Sequence, residues 1–337
     1  MPDRRFMFFI LIYLFHHVTI DTLGVFSTKD TKFKTTIGGS ALIEGIMMRG
    51  PNKQAIAVRG KDGLVIKEEN ITPLKDKYPI LGWPIIRGVV GFGVSMGAAM
   101  KALSFSAEAA GLDESESKFE KWLENKFGNA AVMKFITVFA AIIGGLLAVG
   151  LFIVLPVFLA GLYTDYVGEL GNYRAAFEGG VRLIIFFIYI VLVSQMSDMK
   201  RVFAYHGAEH KTIHCYEAGD ELTVENVRKH SRFHPRCGTS FLFMVIIIGI
   251  IAFLWVTNPN IFVRVGLKLL MLPIVAGLTY EINRWLGRHN NLFSRIVRAP
   301  GIWLQKLTTK EPDDSMIEVG IEAFIRVLPE EKGTDEW

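Results

Sequence analysis

The stretch Val181-Arg-Leu-Ile-Ile-Phe-Phe-Ile-Tyr-Ile-Val-Leu-Val-Ser-Gln-Met196 runs directly into Ser197-Asp-Met-Lys-Arg-Val-Phe-Ala-Tyr-His206-Gly-Ala-Glu209-His210-Lys-Thr-Ile-His214. Its first half is apolar over nearly the length, roughly 17 to 20 residues, at which a helix crosses a bilayer. The second half is polar and carries three histidines four residues apart. A helix turns by about 100° per residue, so positions i, i+4 and i+8 leave from one face. With His206 as the origin, His210 falls near about 40°, His214 near about 80°, Glu217 near about 20° and Glu209 near about −60°. These five metal-competent or acid–base side chains share roughly 140° of one helix, just beyond an apolar segment.

The whole chain supports a membrane reading. Of its 337 residues 51% are hydrophobic, too many for an ordinary soluble protein. Apolar runs at 132–163, 181–196, 241–256 and 261–282 predict four transmembrane helices, the first with Pro156 near its end. The second and third runs need flanking residues to complete a span. Lys and Arg in short loops set orientation. The stretch between the second and third runs holds Lys200, Arg201, Lys211, Arg228, Lys229, Arg232 and Arg236, whereas 164–180 holds Arg174 alone. The His-rich loop at 197–240 and both termini are therefore expected in the cytoplasm, with the protein in the inner or plasma membrane.

The predicted fold is an α-helical integral membrane protein with a small N-terminal β module. Residues 1–34 form an atypical extension in which Arg4-Arg5 precedes an apolar core like that of a secretory signal. An interfacial or non-native leader is preferred there to a signal or a fifth span. Within 36–131, residues 40–48 and 54–59 read as strands, and Gly60-Lys-Asp-Gly63 as a turn into a further strand at 64–68. The Gly-punctuated segment 79–111 reads as a pair of re-entrant or interfacial helices, or as a helix packed under the β module. Residues 113–126 predict a polar surface helix. The membrane domain covers 132–282, and 283–337 is an amphipathic cytoplasmic tail. In that tail 290–308 resembles a helix lying on the inner leaflet, and a short amphipathic helix after 315 leads to a disordered acidic end. Cys215 and Cys237 are too few for a disulfide framework and suit thiol ligation instead.

His206-x-x-Glu209-His210 has the H-x-x-E-H order of an inverted zincin motif. Two imidazoles at i and i+4 can hold one zinc, with the intervening carboxylate placed to activate water. Candidates for the remaining ligands are His234, Cys237, His214 and Glu281. The turn His234-Pro-Arg236-Cys237-Gly-Thr could bring His234 and Cys237 to the helix, or serve simply as a helix-start turn. Glu44 and Arg49 place an acid and a base five residues apart on an expected strand, hence on opposite faces of a regular strand. Glu178 and Arg182 open the second span, where charges are costly unless paired or wetted. Lys134, Arg264 and Lys268 are the main charges near span interiors; with no acidic pair at mid-depth, cation transport is disfavoured.

Glu44-Gly-Ile-Met-Met-Arg49-Gly-Pro, the run from Gln195 through Lys211, and His234-Pro-Arg236-Cys237-Gly-Thr together resemble the YqhQ-like family of bacterial integral membrane proteins. The resemblance covers about residues 38–328. It implies a membrane protein of unknown function, described as a predicted metal-dependent enzyme, with Glu44, Arg49, His206, Glu209, His210, His234 and Cys237 among its motif positions. It implies no particular reaction.

The expected function is a membrane-bound, zinc-dependent enzyme, a hydrolase acting at the cytoplasmic face. His206, His210, His234, Cys237 and Glu281 are the candidate ligands of a divalent metal, and Glu209 the general base. His214, Glu217, Glu44, Arg49 and Arg236 are expected to support the site or position substrate. Expected partners are membrane lipids and another membrane protein or a second copy, with no nucleic acid. The competing expectation is a non-catalytic scaffold with a structural metal, closed by four protein ligands.

Overall fold

The computed structural model describes residues 32–111 and 129–336, apart from 257, 259, 290 and 332. Most of the leader at 1–34 and the polar helix at 113–126 lie outside the described residues, as does the side chain of Lys134. Strands β1 (Gly38–Leu42), β2 (Gly45–Arg49), β3 (Lys53–Gly60) and β4 (Gly63–Asn70) form an antiparallel meander in that order. Pairing of Leu42 with Gly45 splits the single strand expected over 40–48 into two, folded about Ile43-Glu44. No Asn-Gly or Asp-Gly pair marks this turn, so its usual sequence signal is missing. Glu44 makes the turn at φ 51°, a left-handed conformation uncommon outside glycine.

The core beside the sheet is assembled from three distant segments. Ile46, Met48 and Ala57 of the sheet share one buried core with Tyr205, Ala208 and Ile213 of α5 (Ser197–Ala218) and Ile317, Val319 and Phe324 of α10 (Asp314–Ile325). The tail helix is therefore a wall of the core. The acidic end is ordered, against expectation: the Thr35 hydroxyl donates to Asp335 at 2.6 Å, and Thr35 bridges to Glu336. Gly320 lets α10 lie directly on α5, since a Cβ there would meet Thr212 Oγ1 at 2.9 Å.

The sheet's other face packs on α1 (Ile86–Ala109), through Leu42, Met47, Ile56 and Val58 against Ala102. Of the two readings of 79–111, a helix pair or a helix under the β module, the structure has one 24-residue helix against the sheet, preceded by a single 3-10 turn. The start of α1 is fastened to α8 (Ile261–Arg288), where Gly277 leaves room for the Ile85 carbonyl; a Cβ would lie 2.6 Å from it. Ile85 is held there at φ 68° while its N–H donates to Glu281 at 3.3 Å.

Among the described residues, four helices are long and apolar enough to cross a membrane: Ile86–Ala109, Val138–Tyr166, Gly171–Gln195 and Ile261–Arg288. The expected number is met, but with different members. Helix α7 (Gly238–Phe253), expected as the third span, has 16 residues and falls short. Helix α1 takes its place in the set, its apolarity having been masked by repeated glycines. The first apolar run comprises α2 (Asn129–Val149), a π turn at Gly150–Val154, and α3 (Leu155–Tyr166). Helix α4 (Arg174–Gln195) leads almost directly into α5, and α6 (Val224–Lys229) and α9 (Leu292–Thr308) complete the frame around the histidines.

Candidate metal centre

Three side chains from two elements converge. Potential ligand atoms of His206, His210 and Cys237 all lie within 4.8 Å of one another. The two histidines stand one turn apart on α5 with ring centroids 4.4 Å apart, as i, i+4 spacing requires. Cys237 is the residue capping the start of α7, where its sulfur accepts from Thr239 N–H at 3.5 Å. A helix N-terminus favours the thiolate.

The backbone around the site decides which imidazole nitrogens are available. Nδ1 of His206 lies 2.8 Å from the Thr308 carbonyl, and Nδ1 of His210 lies 2.6 Å from the Arg232 carbonyl. A carbonyl oxygen only accepts, so each Nδ1 carries a proton and donates it. That leaves both Nε2 atoms to face the site, and His206 Nε2 is 3.2 Å from Cys237 Sγ. Metal-binding histidines are usually oriented this way, with the second nitrogen donating to a carbonyl or carboxylate.

Electrostatics agree with the geometry. Burial opposes a charged His206, but the Cys237 thiolate beside it, its hydrogen bond and Glu209 raise the imidazole to about 9. Burial would raise the Cys237 thiol, yet His206 and His210 bring it well below its ordinary value. A positive charge belongs between Nε2 and Sγ: a proton, or a metal ion.

Glu209 is buried beside this group. One carboxylate oxygen accepts from Gly39 N–H of β1 at 3.1 Å, and Oε2 is buried without a hydrogen-bond partner. Burial raises its pKa, while the charges of His206 and His210 pull it back down. Gly39 permits the approach, because a Cβ would stand 3.0 Å from the Glu209 carboxyl carbon and 2.7 Å from the Met47 carbonyl. The β module thus reaches the centre through one glycine.

The remaining predicted residues have other settings. His234 is buried near His210, with ring centroids 5.5 Å apart, but its Nε2 faces Arg236 at 3.3 Å and Glu217 at 3.8 Å. Burial and the Arg236 charge keep it neutral. Glu217 pairs with Arg236 and accepts from Thr35 N–H at 2.8 Å, tying the start of the described chain to α5. His214 Nε2 donates to the Phe233 carbonyl at 2.9 Å, and burial pushes its pKa down to about 4. Glu281, expected as a ligand, sits instead in a two-bond ion pair with Arg87, one bond being 2.7 Å. Its position at the end of α8 made it eligible by sequence, but α1 takes its carboxylate. Glu44 is held by Arg201 and by the Tyr205 hydroxyl at 3.2 Å, and Arg49 lies at the far end of β2.

Sequence reading missed the residues that lock the site from α9. Gln305 accepts from His234 N–H at 2.8 Å and donates to the His234 carbonyl at 2.8 Å, clamping the turn that carries Cys237. Thr308 supplies the carbonyl that orients His206. Gln305 is wholly buried, and no motif in the sequence marks it. Gly207 is a second omission: a Cβ there would meet the Lys310 carbonyl at 2.0 Å. It lets the strand-like segment after α9 cross α5 beside His206, where Lys310 N–H donates to the Phe203 carbonyl at 2.8 Å.

Residues 83–330 match the family model described as a protein of unknown function, DUF1385. The chain is 35% identical over 299 residues to the uncharacterized protein YqhQ of Bacillus subtilis (strain 168), covering 88% of this chain and 93% of the relative. No solved structure matches it. With the match spanning the apolar helices, the histidine helix and the Cys237 turn, this chain belongs to the DUF1385 family, alongside YqhQ.

Proposed function

We propose that this protein is a membrane-bound metal-dependent enzyme, a zinc hydrolase working at the cytoplasmic membrane face. The observation that carries the reading is the convergence of His206, His210 and Cys237 with both histidines oriented through Nδ1 by backbone carbonyls. The donor set fits zinc: two imidazoles and a thiolate form a three-ligand set like those of catalytic sites, which keep one position for water. Zinc bound there would supply an activated water at neutral pH and a Lewis acid for a carbonyl or phosphoryl oxygen.

The chain's own residues then have definite work. His206 and His210 bind through Nε2, and Cys237 binds as a thiolate stabilised by its place at a helix start. Glu209 Oε2, buried and unpartnered, is the atom placed to accept a proton from water or from a nucleophile. Gly39 N–H holds the other oxygen and so fixes the direction of Oε2. His206 retains partial exposure, which gives substrate its approach. Apolar helices flanking α5 on both sides make lipids and membrane-embedded peptides the substrate class to test first. The Lys and Arg excess in 197–240 supports the cytoplasmic placement.

The competing reading is a scaffold whose metal is structural, with Glu209 as the fourth ligand. Its buried, unsatisfied oxygen favours that reading too. The two differ in one variant. Protein purified in detergent from zinc-supplemented cells should carry about one zinc per chain, lost in His206→Ala and His210→Ala. In an open catalytic site Glu209→Ala keeps the metal and abolishes turnover in a screen of phospholipids and membrane peptides. Loss of metal in Glu209→Ala would point to the closed, structural site. Metal-free wild-type protein would overturn both.

A further inference from the structure

Helix α9 is amphipathic the wrong way round for a helix in water. Set out at about 100° per residue from Leu292, its residues Ser294, Arg298, Gly301, Gln305 and Thr308 gather within about 160–240°. All five are buried. Leu292, Ile296, Trp303 and Leu307 fall within about 0–60°, and Phe293 near about 100°. Of these, Leu292, Phe293 and Ile296 are 67, 61 and 62% exposed. The polar face is turned into the protein and the apolar face away from it.

Two observations say what covers the outer face. First, it continues a helix of membrane-crossing length: α8 ends at Arg288, and α9 begins at Leu292, capped by the Asn291 side chain. Trp285, in the last turn of α8, is exposed and meets Phe293 with ring centres 6.2 Å apart, so the apolar surface runs from one helix onto the next. A tryptophan at the end of a span belongs at the membrane–water interface. Second, the charge has one sign. Between Glu281 and Glu311 there is no Asp or Glu, against Arg284, Arg288, Arg295, Arg298, Lys306 and Lys310. Arg295 and Lys306 leave α9 near about −60° and −40°, along one edge of the apolar stripe. Such a face suits an anionic lipid leaflet, with acyl chains under the stripe and headgroups at its basic edge.

The inner face of the same helix holds the histidine site. Gly301 lets α9 lie against the start of α7, since a Cβ there would stand 2.6 Å from Ser240 Oγ. Gln305 brackets the His234 backbone with two bonds of 2.8 Å and reaches Ser240 Oγ at 3.3 Å. The Thr308 carbonyl accepts from His206 Nδ1 at 2.8 Å. We propose that α9 couples the bilayer to this site: its outer face lies on an anionic lipid leaflet, and that contact keeps Gln305 and Thr308 against the Cys237 turn and His206. The coupling regulates the site that the zinc reading uses, and it is tested on metal-free protein so that the two fail separately.

Full-length protein is stripped of metal with a chelator and placed in phosphatidylglycerol nanodiscs. A bimane label on Ile296→Cys should be strongly quenched when the acyl chains are brominated, and one on Glu225→Cys of α6 should not. The coupling is read from alkylation of Cys237 by iodoacetamide, followed by mass spectrometry. Phe293→Glu/Ile296→Glu, which drives the outer face from lipid, should speed that reaction roughly tenfold, within the range of about 5–150-fold usual for coupled sites. Cys215, in the core between α5 and the sheet, should stay unreactive and so report that the variant is folded. Should Cys215 react too, wild-type protein carries the same test: Cys237 should alkylate several-fold faster in phosphatidylcholine than in phosphatidylglycerol. The proposal fails if the label at 296 is quenched no more than that at 225, which would put water or a second chain on this face. It fails equally if Cys237 of a folded variant reacts at the wild-type rate, or if an unfolded variant is matched by equal wild-type rates in the two lipids. A zinc-free wild type would overturn the zinc reading alone.

Discussion

The two buried ionisable clusters solve opposite problems. Around His206, His210 and Cys237, carbonyls of Thr308, Arg232 and Phe233 and the amide of Gln305 account for the polar atoms that do not face the centre. What is left over, two Nε2 atoms and one Sγ, points inward together, with the unpartnered Oε2 of Glu209 buried nearby. Around Glu178 two buried cations, Arg264 and Lys268, share one carboxylate, with Arg182 buried one turn along the same helix. The first arrangement leaves a place for a cation, whereas in the second one carboxylate already serves two cations. Burial alone marks neither as functional; what remains unsatisfied says what a cluster could hold.

The comparison is broken most easily at Glu178. Glu178→Gln leaves Arg264 and Lys268 buried without their carboxylate and should cost about 3–5 kcal/mol, read as a lower unfolding temperature in detergent. A loss below about 1 kcal/mol would mean that water already solvates the cluster. Replacing Glu178 and Lys268 together by Gln and Met should recover part of the loss, because the pair is removed rather than broken.

The histidine side of the comparison is sharpened by pH. His214 stays neutral in the folded protein down to about 4, whereas an unfolded histidine takes its proton near 6.5. Between those values the unfolded chain binds a proton that the folded one refuses, so stability is full above about 6.5 and falls as the pH drops toward 4. The contribution is about 3 kcal/mol. His214→Gln keeps a donor for the Phe233 carbonyl and should flatten that part of the curve. An unchanged acid limb in denaturant titrations would assign the loss to other groups.

Smaller effects test the scaffold of each region. Gly207→Ala forces a methyl group onto the Lys310 carbonyl, a contact of 2.0 Å before relaxation. It should cost about 1–3 kcal/mol and lower zinc retention by moving α5 against the segment that follows α9. Arg201→Ala removes a pair with Glu44 whose arginine is 56% exposed. A screened pair of this kind is worth less than about 1 kcal/mol. A larger loss would give the strained Glu44 turn a functional role.

The sequence made the histidine centre legible because both histidines sit within one helix, where spacing translates directly into a face. Cys237 was legible as a candidate only, since nothing in a turn 31 residues from His206 reveals whether it folds back. Glu281 looked as good by the same reasoning and went elsewhere, because Arg87 comes from a helix whose path the glycines of 79–111 conceal. The anchoring from α9 was hidden by register: Gln305 and Thr308 act through a side-chain amide and a backbone carbonyl that no motif records. The Glu178 cluster was illegible for another reason. Its partners lie 86 and 90 residues away in a separate apolar run, and only packing of α4 on α8 joins them. The count of long apolar helices followed from hydropathy, but which runs were long enough depended on helix ends that hydropathy does not mark.

The central claim is the centre formed by His206, His210 and Cys237, and X-ray absorption at the zinc edge tests it most directly. Zinc-loaded protein should show one sulfur at about 2.3 Å and two imidazole nitrogens at about 2.0–2.1 Å, with oxygen completing the shell. Cys237→Ser should erase the sulfur contribution and leave the nitrogens. A shell without sulfur, or one that Cys237→Ser leaves unchanged, would contradict the account.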